Sequence, residues 1–343
     1  PGDGLTVRRQ VAVDLPGGPA FVDALRRTWD AGDAVHPIDQ RCPRAAKAAL
    51  MAAMGASSVV EETGTSELAE GRPVEDGDAL VVATSGSTGT PKGVVLTHEA
   101  VHASAEATSA RIGVRHDDHW LACLPLSHVG GLSVVTRALA LGTRLTVHDG
   151  FDAERVMASA RDGASLVSLV STALSRVDTS LFRVIVLGGS RPPADRPSNT
   201  VTTYGMTETG SGVVYDGVPL DGVDLRVDDD GAVALRGPML LRCYRDGTDP
   251  KDGGGWFRTG DVGRWLDDGR LVVDGRADDL VITGGENVWP DTVERVLVDH
   301  ADVADVMVRG VDHPEWGQIV EAVVVPRDRD APPTLTALRD HVK

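Results

Sequence analysis

Apolar positions along this chain come in short bursts separated by polar, glycine-rich punctuation. Ala79-Leu-Val-Val-Ala83 is such a burst, bounded by turn residues, and has the pattern of a buried strand. Comparable runs recur at 120–124, 144–147, 165–170 and 182–187. Between them the pattern predicts helices at 97–112, with Thr97 as N-cap, and at 131–141 and 152–161. Upstream, 20–29 and 44–54 predict helices, and 59–78 a weak strand followed by loop. Strands alternating with helices at this spacing predict a layered α/β domain with a largely parallel sheet.

After Gly217 the texture changes. Short apolar runs at 223–227, 232–235 and 270–273, separated by Gly/Asp turns, predict a small β-rich subdomain. Residues 274–278 form a hydrophilic joint. Beyond it a helix at 290–298 opens on Pro290, strands follow at 303–308 and 319–325, and a helix closes the tail at 334–341. The organisation predicted is a large layered α/β domain over 1–274, its β-rich part at 217–274, and a small α+β domain over 275–343.

Composition narrows the partners. With 343 residues the chain is long for a single core, and 41% apolar residues suffice to build more than one. A formal charge of -17 argues against nucleic acid and anionic membranes as general partners, while leaving room for a local site for a small anion. The three cysteines, Cys42, Cys123 and Cys243, are scattered and match neither a disulfide framework nor a zinc pattern. The first residues carry Asp3 and Asp14 without the apolar core of a signal peptide, and no run of eighteen apolar residues exists to span a membrane. The expected compartment is the cytoplasm.

The sharpest chemical feature is Thr84-Ser-Gly-Ser-Thr-Gly-Thr-Pro-Lys-Gly93, directly after a buried strand. Gly86, Gly89 and Gly93 let backbone approach a ligand closely. The hydroxyls of Ser85, Ser87, Thr88 and Thr90 can donate to phosphate oxygens, Lys92 adds positive charge, and successive backbone N–H groups form an anion-binding concavity. The spacing is not that of a Walker A loop, since the second glycine would fall at Pro91, nor that of a dinucleotide fingerprint.

This loop resembles the phosphate loop of the adenylate-forming superfamily, which includes acyl-CoA synthetases, peptide-synthetase adenylation domains and luciferases. Further motifs follow in that superfamily's order, from about Asp78 to Glu321. The resemblance implies its fold, ATP and Mg²⁺ as requirements, and coenzyme A as acyl acceptor. It also implies residue roles. Thr84, Ser85, Gly86, Ser87, Thr88, Gly89 and Lys92 would bind phosphate. His128, in Leu124-Pro-Leu-Ser-His128-Val-Gly-Gly131, would line the acyl pocket near the reacting carboxylate. Gly188, Gly189 and Ser190 would lie against adenine. In Tyr204-Gly-Met-Thr-Glu-Thr209 the Tyr204 ring would stack on adenine, Thr207 would meet the α-phosphate, and Glu208 would bind magnesium. Asp261, in Trp256-Phe-Arg-Thr-Gly-Asp261, would accept from the ribose hydroxyls, and Arg276 would reach the same sugar. Asp278 would be the hinge about which the small domain turns between the two half-reactions, and Gly284 and Gly285 would line the pantetheine tunnel.

Within the superfamily, Thr207-Glu-Thr-Gly-Ser-Gly212 and Ile282-Thr-Gly-Gly-Glu-Asn-Val-Trp-Pro290 look like the 2-succinylbenzoate–CoA ligases of menaquinone biosynthesis. That resemblance implies Gly210 in the acyl pocket and Arg176 on the distal, benzoate carboxylate. The superfamily's C-terminal Gly-Lys element has no counterpart here; its role is not given to Lys343, and the small domain is read as truncated before it. Alternatives are a ligase for another aryl or fatty acid, an adenylation module loading a carrier protein, and a nucleotide-binding protein without catalysis. The partners expected are small molecules, and the oligomeric state is open, a homodimer included.

Overall fold

The computed structural model describes residues 7–84, 91–189, 192–193 and 195–342. They fall into two compact units. One comprises Pro1–Asp224 with Arg236–Phe257, the other Leu225–Leu235 with Arg258–Lys343. This division runs through the 217–274 stretch that the sequence groups with the first domain.

The first unit holds two seven-stranded sheets. In spatial order the first runs Cys243–Tyr244, Lys92–Thr97, Asp78–Thr84, Ala34–Pro37, Gln10–Val13, Ser58–Glu61, Gly64–Glu67. The second runs Val218–Pro219, Gly212–Tyr215, Thr200–Gly205, Val184–Leu187, Leu166–Leu169, His119–Ala122, Arg144–Val147. The first is parallel through its middle and antiparallel at both margins; the second is antiparallel only at its 212–219 margin and parallel from Thr200–Gly205 through to its other edge, Arg144–Val147, so a parallel sheet of the kind predicted from the sequence occurs twice. The runs at 120–124, 165–170 and 182–187 supply central strands buried on both faces, whereas the run at 144–147 is the half-exposed edge strand Arg144–Val147. Leu121, Val167, Leu169, Ile185 and Leu187 share one core with Val156 and Ala160 of the helix Ala153–Arg161. That helix is capped by Asp152, which accepts from the Arg155 N–H at 2.9 Å. Thr97 caps the helix His98–Ile112 in the same way, at 3.1 Å, as predicted.

Three stretches depart from the sequence reading. Residues 59–78 contain a hairpin, Ser58–Glu61 with Gly64–Glu67, where one strand and a loop were predicted. A further strand, Lys92–Thr97, stands between the glycine-rich loop and the helix and pairs antiparallel with Asp78–Thr84. The loop is therefore the connection of a hairpin, with Thr84 opposite Lys92 at its neck. The hydrophilic joint at 274–278 is strand as far as Arg276 and then one helical turn, Ala277–Asp279.

The second unit carries two four-stranded sheets. The first runs Asp224–Val227, Ala232–Arg236, Phe257–Trp265, Leu271–Arg276. The other runs Glu286–Val288, Val281–Thr283, Gly317–Pro326, Val303–His313, accompanied by the helices Pro290–Val298 and Leu335–Val342. Gly284 and Gly285 form the two-residue turn between Val281–Thr283 and Glu286–Val288, with φ of 58° and 87°. Both values lie in the left-handed region, which the twist of a tight hairpin requires.

One buried histidine makes stability depend on pH. His36 is fully buried in the strand Ala34–Pro37. Its Nδ1 lies 2.8 Å from the Val81 carbonyl, which can only accept, so Nδ1 carries a proton. Desolvation lowers its pKa from 6.5 to about 4, the Val81 bond opposing this and the Arg245 charge adding to it. The unfolded chain thus takes up the proton first. Stability is full above the ordinary value of 6.5 and falls with pH until about 4, by up to about 3 kcal/mol. Urea unfolding at pH 7 and pH 4.5 should show this loss, and His36→Leu should remove most of it. An unchanged slope in the variant would place the sensitivity elsewhere.

Candidate active site

The chemistry of the first unit gathers at the ends of its two sheets. The neck of the glycine-rich hairpin presents Lys92, whose Nζ stands 5.1 Å from the centre of the Tyr244 ring. The Tyr244 hydroxyl donates to Glu208 Oε1 at 2.9 Å. The Leu241 N–H donates to the Glu208 carbonyl at 2.7 Å, so one segment, 241–244, holds Glu208 by both backbone and side chain. That segment is an edge strand on the hairpin, with Cys243 paired to Val95 and Tyr244 to Val94. Two motifs far apart in sequence, the phosphate loop and 204–209, are thereby tied together through a residue of neither. Tyr244 is the residue sequence reasoning missed, because its two-residue strand has no periodicity to detect.

The turn that carries Thr207 and Glu208 is itself fixed. Thr209 is fully buried; its hydroxyl accepts from the Met206 N–H at 2.9 Å and lies 2.6 Å from the Ser211 carbonyl. Gly205 has no room for a side chain, since a Cβ there would sit 2.2 Å from the Ser211 carbonyl oxygen. Tyr204 stands one residue before the end of the strand Thr200–Gly205, opposite Val214.

A cavity of about 150 Å³ opens beside this turn. Its wall is made by residues at and just past the ends of parallel strands: Val170, Gly188, Gly189 and Gly205, with Ser133 and Arg137 of the helix Val129–Leu141. The carboxyl edge of a parallel sheet is where α/β folds bind ligands. A second cavity, of about 290 Å³, is lined by Asp39, Arg41, Leu126 and Phe151 among others.

The structure places the sequence-predicted residues unevenly. It brings Lys92 and Glu208 together through Tyr244, and Gly188 and Gly189 line the smaller cavity. His128, the N-cap of the helix Val129–Leu141, is 61% exposed; its Nε2 lies 3.3 Å from an Arg41 nitrogen and 3.8 Å from Asp39. Arg41 holds the Asp39 carboxyl well below the usual carboxylate range, mainly by donating hydrogen bonds to it. Arg176 is exposed, its guanidinium 5.2 Å from the Phe151 ring centre, and it lines neither cavity. Gly210 adjoins Leu96 at the far end of the 207–210 turn. In the second unit Arg276 donates to the Thr259 carbonyl at 3.0 Å and pairs with Asp261 at 3.3 Å. Asp278 lies in the turn Ala277–Asp279. Ser85, Gly86, Ser87, Thr88, Gly89 and Ser190 lie outside the described residues.

Comparison with known proteins follows the same lines. Residues 67–244 match the model of the AMP-binding enzyme family, and residues 292–343 match its C-terminal domain. A Mycobacterium tuberculosis protein named probable 2-succinylbenzoate–CoA ligase is 41% identical over 300 residues, 79% of this chain and 77% of that protein. A 2-succinylbenzoate–CoA ligase of Bacillus licheniformis is 35% identical over 73% of this chain, which spans 60% of that protein's length. Among solved structures, o-succinylbenzoate CoA synthetase from Bacillus subtilis with its acyl-adenylate intermediate superimposes with a TM-score of 0.87. It is 25% identical, covering 98% of this chain and 82% of that one. The chain belongs to the family of AMP-binding enzymes, and within that family it is similar to the 2-succinylbenzoate–CoA ligases.

Proposed function

We propose that the protein is an ATP-dependent acid–CoA ligase that adenylates 2-succinylbenzoate and hands the acyl group to coenzyme A. The observation that supports it most is the cluster of Lys92, Tyr244 and Glu208 at the neck of the glycine-rich hairpin. A cation and a carboxylate held on one aromatic residue suit a nucleotide triphosphate with its metal. Among the described residues no group of three His, Cys, Asp or Glu side chains is placed to hold a metal. A lone carboxylate fits Mg²⁺, which takes few protein oxygens and draws the rest from phosphate and water. Glu208 would hold the ion, which supplies charge neutralisation on the phosphate oxygens when bound.

In this reading the substrate carboxylate attacks the α-phosphate and pyrophosphate leaves. The chain's own part is positioning and charge compensation. Lys92 with Thr84, Ser85, Gly86, Ser87, Thr88 and Gly89 takes the phosphates, and the Thr207 hydroxyl donates to the α-phosphate. Gly188, Gly189, Ser190 and the Tyr204 ring take adenine. His128 and Gly210 belong to the acyl side. Asp261 and Arg276 take the ribose. A turn of residues 275–343 about Asp278 then admits the coenzyme A thiol past Gly284 and Gly285, the thiolate attacks the mixed anhydride, and AMP leaves. No described helix is long and apolar enough to cross a membrane. The proposal places the enzyme in the cytoplasm, as a monomer or a homodimer.

The test is pyrophosphate release by the full-length protein with ATP, Mg²⁺ and coenzyme A. 2-Succinylbenzoate is compared with benzoate and a medium-chain fatty acid, and products are identified by mass spectrometry. Release with 2-succinylbenzoate and a free coenzyme A thioester are expected. Release with another acid alone would reassign the substrate, adenylate without a free thioester would favour carrier loading, and no release with any acid would favour a non-catalytic nucleotide binder.

A further inference from the structure

The segment 241–244 fastens Glu208 through the Leu241 N–H and the Tyr244 hydroxyl, so whatever fixes that segment also fixes the carboxylate. The chain bends at Arg242 before it enters the strand Cys243–Tyr244. In a regular strand successive carbonyls point to opposite edges. At this bend the carbonyls of Leu241 and Arg242 converge on one cation. Lys251 Nζ donates to the first at 2.7 Å and to the second at 2.9 Å. Its remaining N–H goes to Asp249 Oδ1, at 2.8 Å. An ammonium has three donors and no acceptor, so the set is complete. The Lys251 side chain is 20% exposed, and Leu241 beside it is buried.

Sheltered carbonyls must find donors or bear the cost of going without. With Lys251 gone, Leu241 and Arg242 regain donors by turning toward water. That rotation opens the bend and carries the Leu241 N–H away from the Glu208 carbonyl, with the Tyr244 hydroxyl behind it. Asp249 completes the device. It balances the ammonium, so the clamp brings no net positive charge toward a carboxylate that has to receive a divalent metal.

We propose that Lys251 is a positioning residue for the metal-binding carboxylate. It holds the bend that presents Leu241 and Tyr244 to Glu208, without contacting metal or nucleotide itself. The inference rests on the ligase reading above, in which Glu208 holds the ion, and adds to it a residue that lies in none of the sequence motifs.

The experiment measures ATP affinity by calorimetry on the full-length protein, with and without Mg²⁺, alongside turnover to acyl-adenylate. The parent should bind ATP at least about tenfold more tightly with Mg²⁺. Lys251→Met should cut that gain to within about threefold and leave metal-free ATP affinity unchanged. It should lower turnover about 30-fold, with KM for 2-succinylbenzoate within about twofold. In the ligand-free variant the Leu241 and Arg242 amides should exchange hydrogen at least about tenfold faster. Lys251→Arg keeps the charge and can donate to two carbonyls, so it should restore most of the Mg²⁺ gain and of turnover. Arg183→Met is the control for lost stability. Arg183 donates to the buried Asp118 at the amino ends of the strands His119–Ala122 and Val184–Leu187, the ends away from Gly188. That variant should melt lower and keep its Mg²⁺ gain. A Mg²⁺ gain and turnover that survive Lys251→Met overturn the proposal. So does an equal fall of both in Arg183→Met. A parent that shows no Mg²⁺ gain, or that adenylates no acid, would instead defeat the ligase reading, and the proposal with it.

Discussion

Glu208→Gln protein should form acyl-adenylate about 100- to 1,000-fold more slowly than the parent, with its melting temperature within about 2 °C. Glutamine matches glutamate in shape, and its amide oxygen can still accept from the Tyr244 hydroxyl, as Glu208 Oε1 does at 2.9 Å. The backbone clamp from Leu241 is untouched. What is lost is one negative charge at a half-buried position, so folding should hardly register it. A metal that demands hard anionic oxygen should register it strongly. The Mg²⁺ concentration needed for half-maximal rate should rise, and excess Mg²⁺ should restore part of the loss. Tyr244→Phe separates orientation from charge. It removes the hydrogen bond and keeps the carboxylate and the ring under Lys92, so a loss of about tenfold is expected, in turnover more than in KM for ATP. A Glu208→Gln enzyme with unchanged rate and unchanged Mg²⁺ requirement would remove Glu208 from the metal role.

The sequence disclosed the fold where side-chain pattern alone decides structure. The strands Leu166–Leu169 and Val184–Leu187 are apolar on both faces because both faces are covered, and they read directly. Phe257–Trp265 did not, although burial alternates along it with period two. Its inward positions after Phe257 are Thr259, Asp261 and Gly263, so no apolar alternation marks them. The hairpin strand Lys92–Thr97 was hidden between two stronger signals, the glycine-rich loop before it and the Thr97-capped helix after it. At the site, the motifs gave the order of the chemistry but not the direction of each side chain. His128 sits in its motif and is largely exposed. Arg137 sits in none, yet a signal existed. Val129–Leu141 is apolar on nearly all sides, which marks a buried helix, and Arg137 is its one charged residue. Tyr244 had no local signal, because its place depends on a long-range pairing between residues 92–97 and 243–244.

That pairing is anchored by one ion pair, and removing it should cost about 3 kcal/mol. Asp78, 1% exposed, accepts from Arg242 Nε at 2.8 Å and from Arg242 Nη2 at 2.9 Å, a two-pronged contact. A third nitrogen of Arg242 reaches Glu75 at 2.6 Å, and the Glu75 N–H donates to the same Asp78 at 2.9 Å. In Arg242→Leu the Asp78 carboxylate would remain buried with only a backbone N–H on one oxygen. The penalty comes from that stranded charge more than from the lost bonds. Asp78→Asn added to Arg242→Leu should therefore recover a large part of the loss, and urea unfolding of the four proteins of this cycle measures it. The effect should extend to catalysis. Arg242 precedes Cys243–Tyr244, and its own N–H donates to the Val95 carbonyl at 2.9 Å, so loosening it frees the strand that presents Tyr244 to Glu208. Arg242→Leu should thus lose turnover as well as stability. Stability restored by Asp78→Asn without recovery of turnover would show that Arg242 also positions Tyr244. Additive losses across the cycle would show that Asp78 and Arg242 act independently, against the contact as drawn.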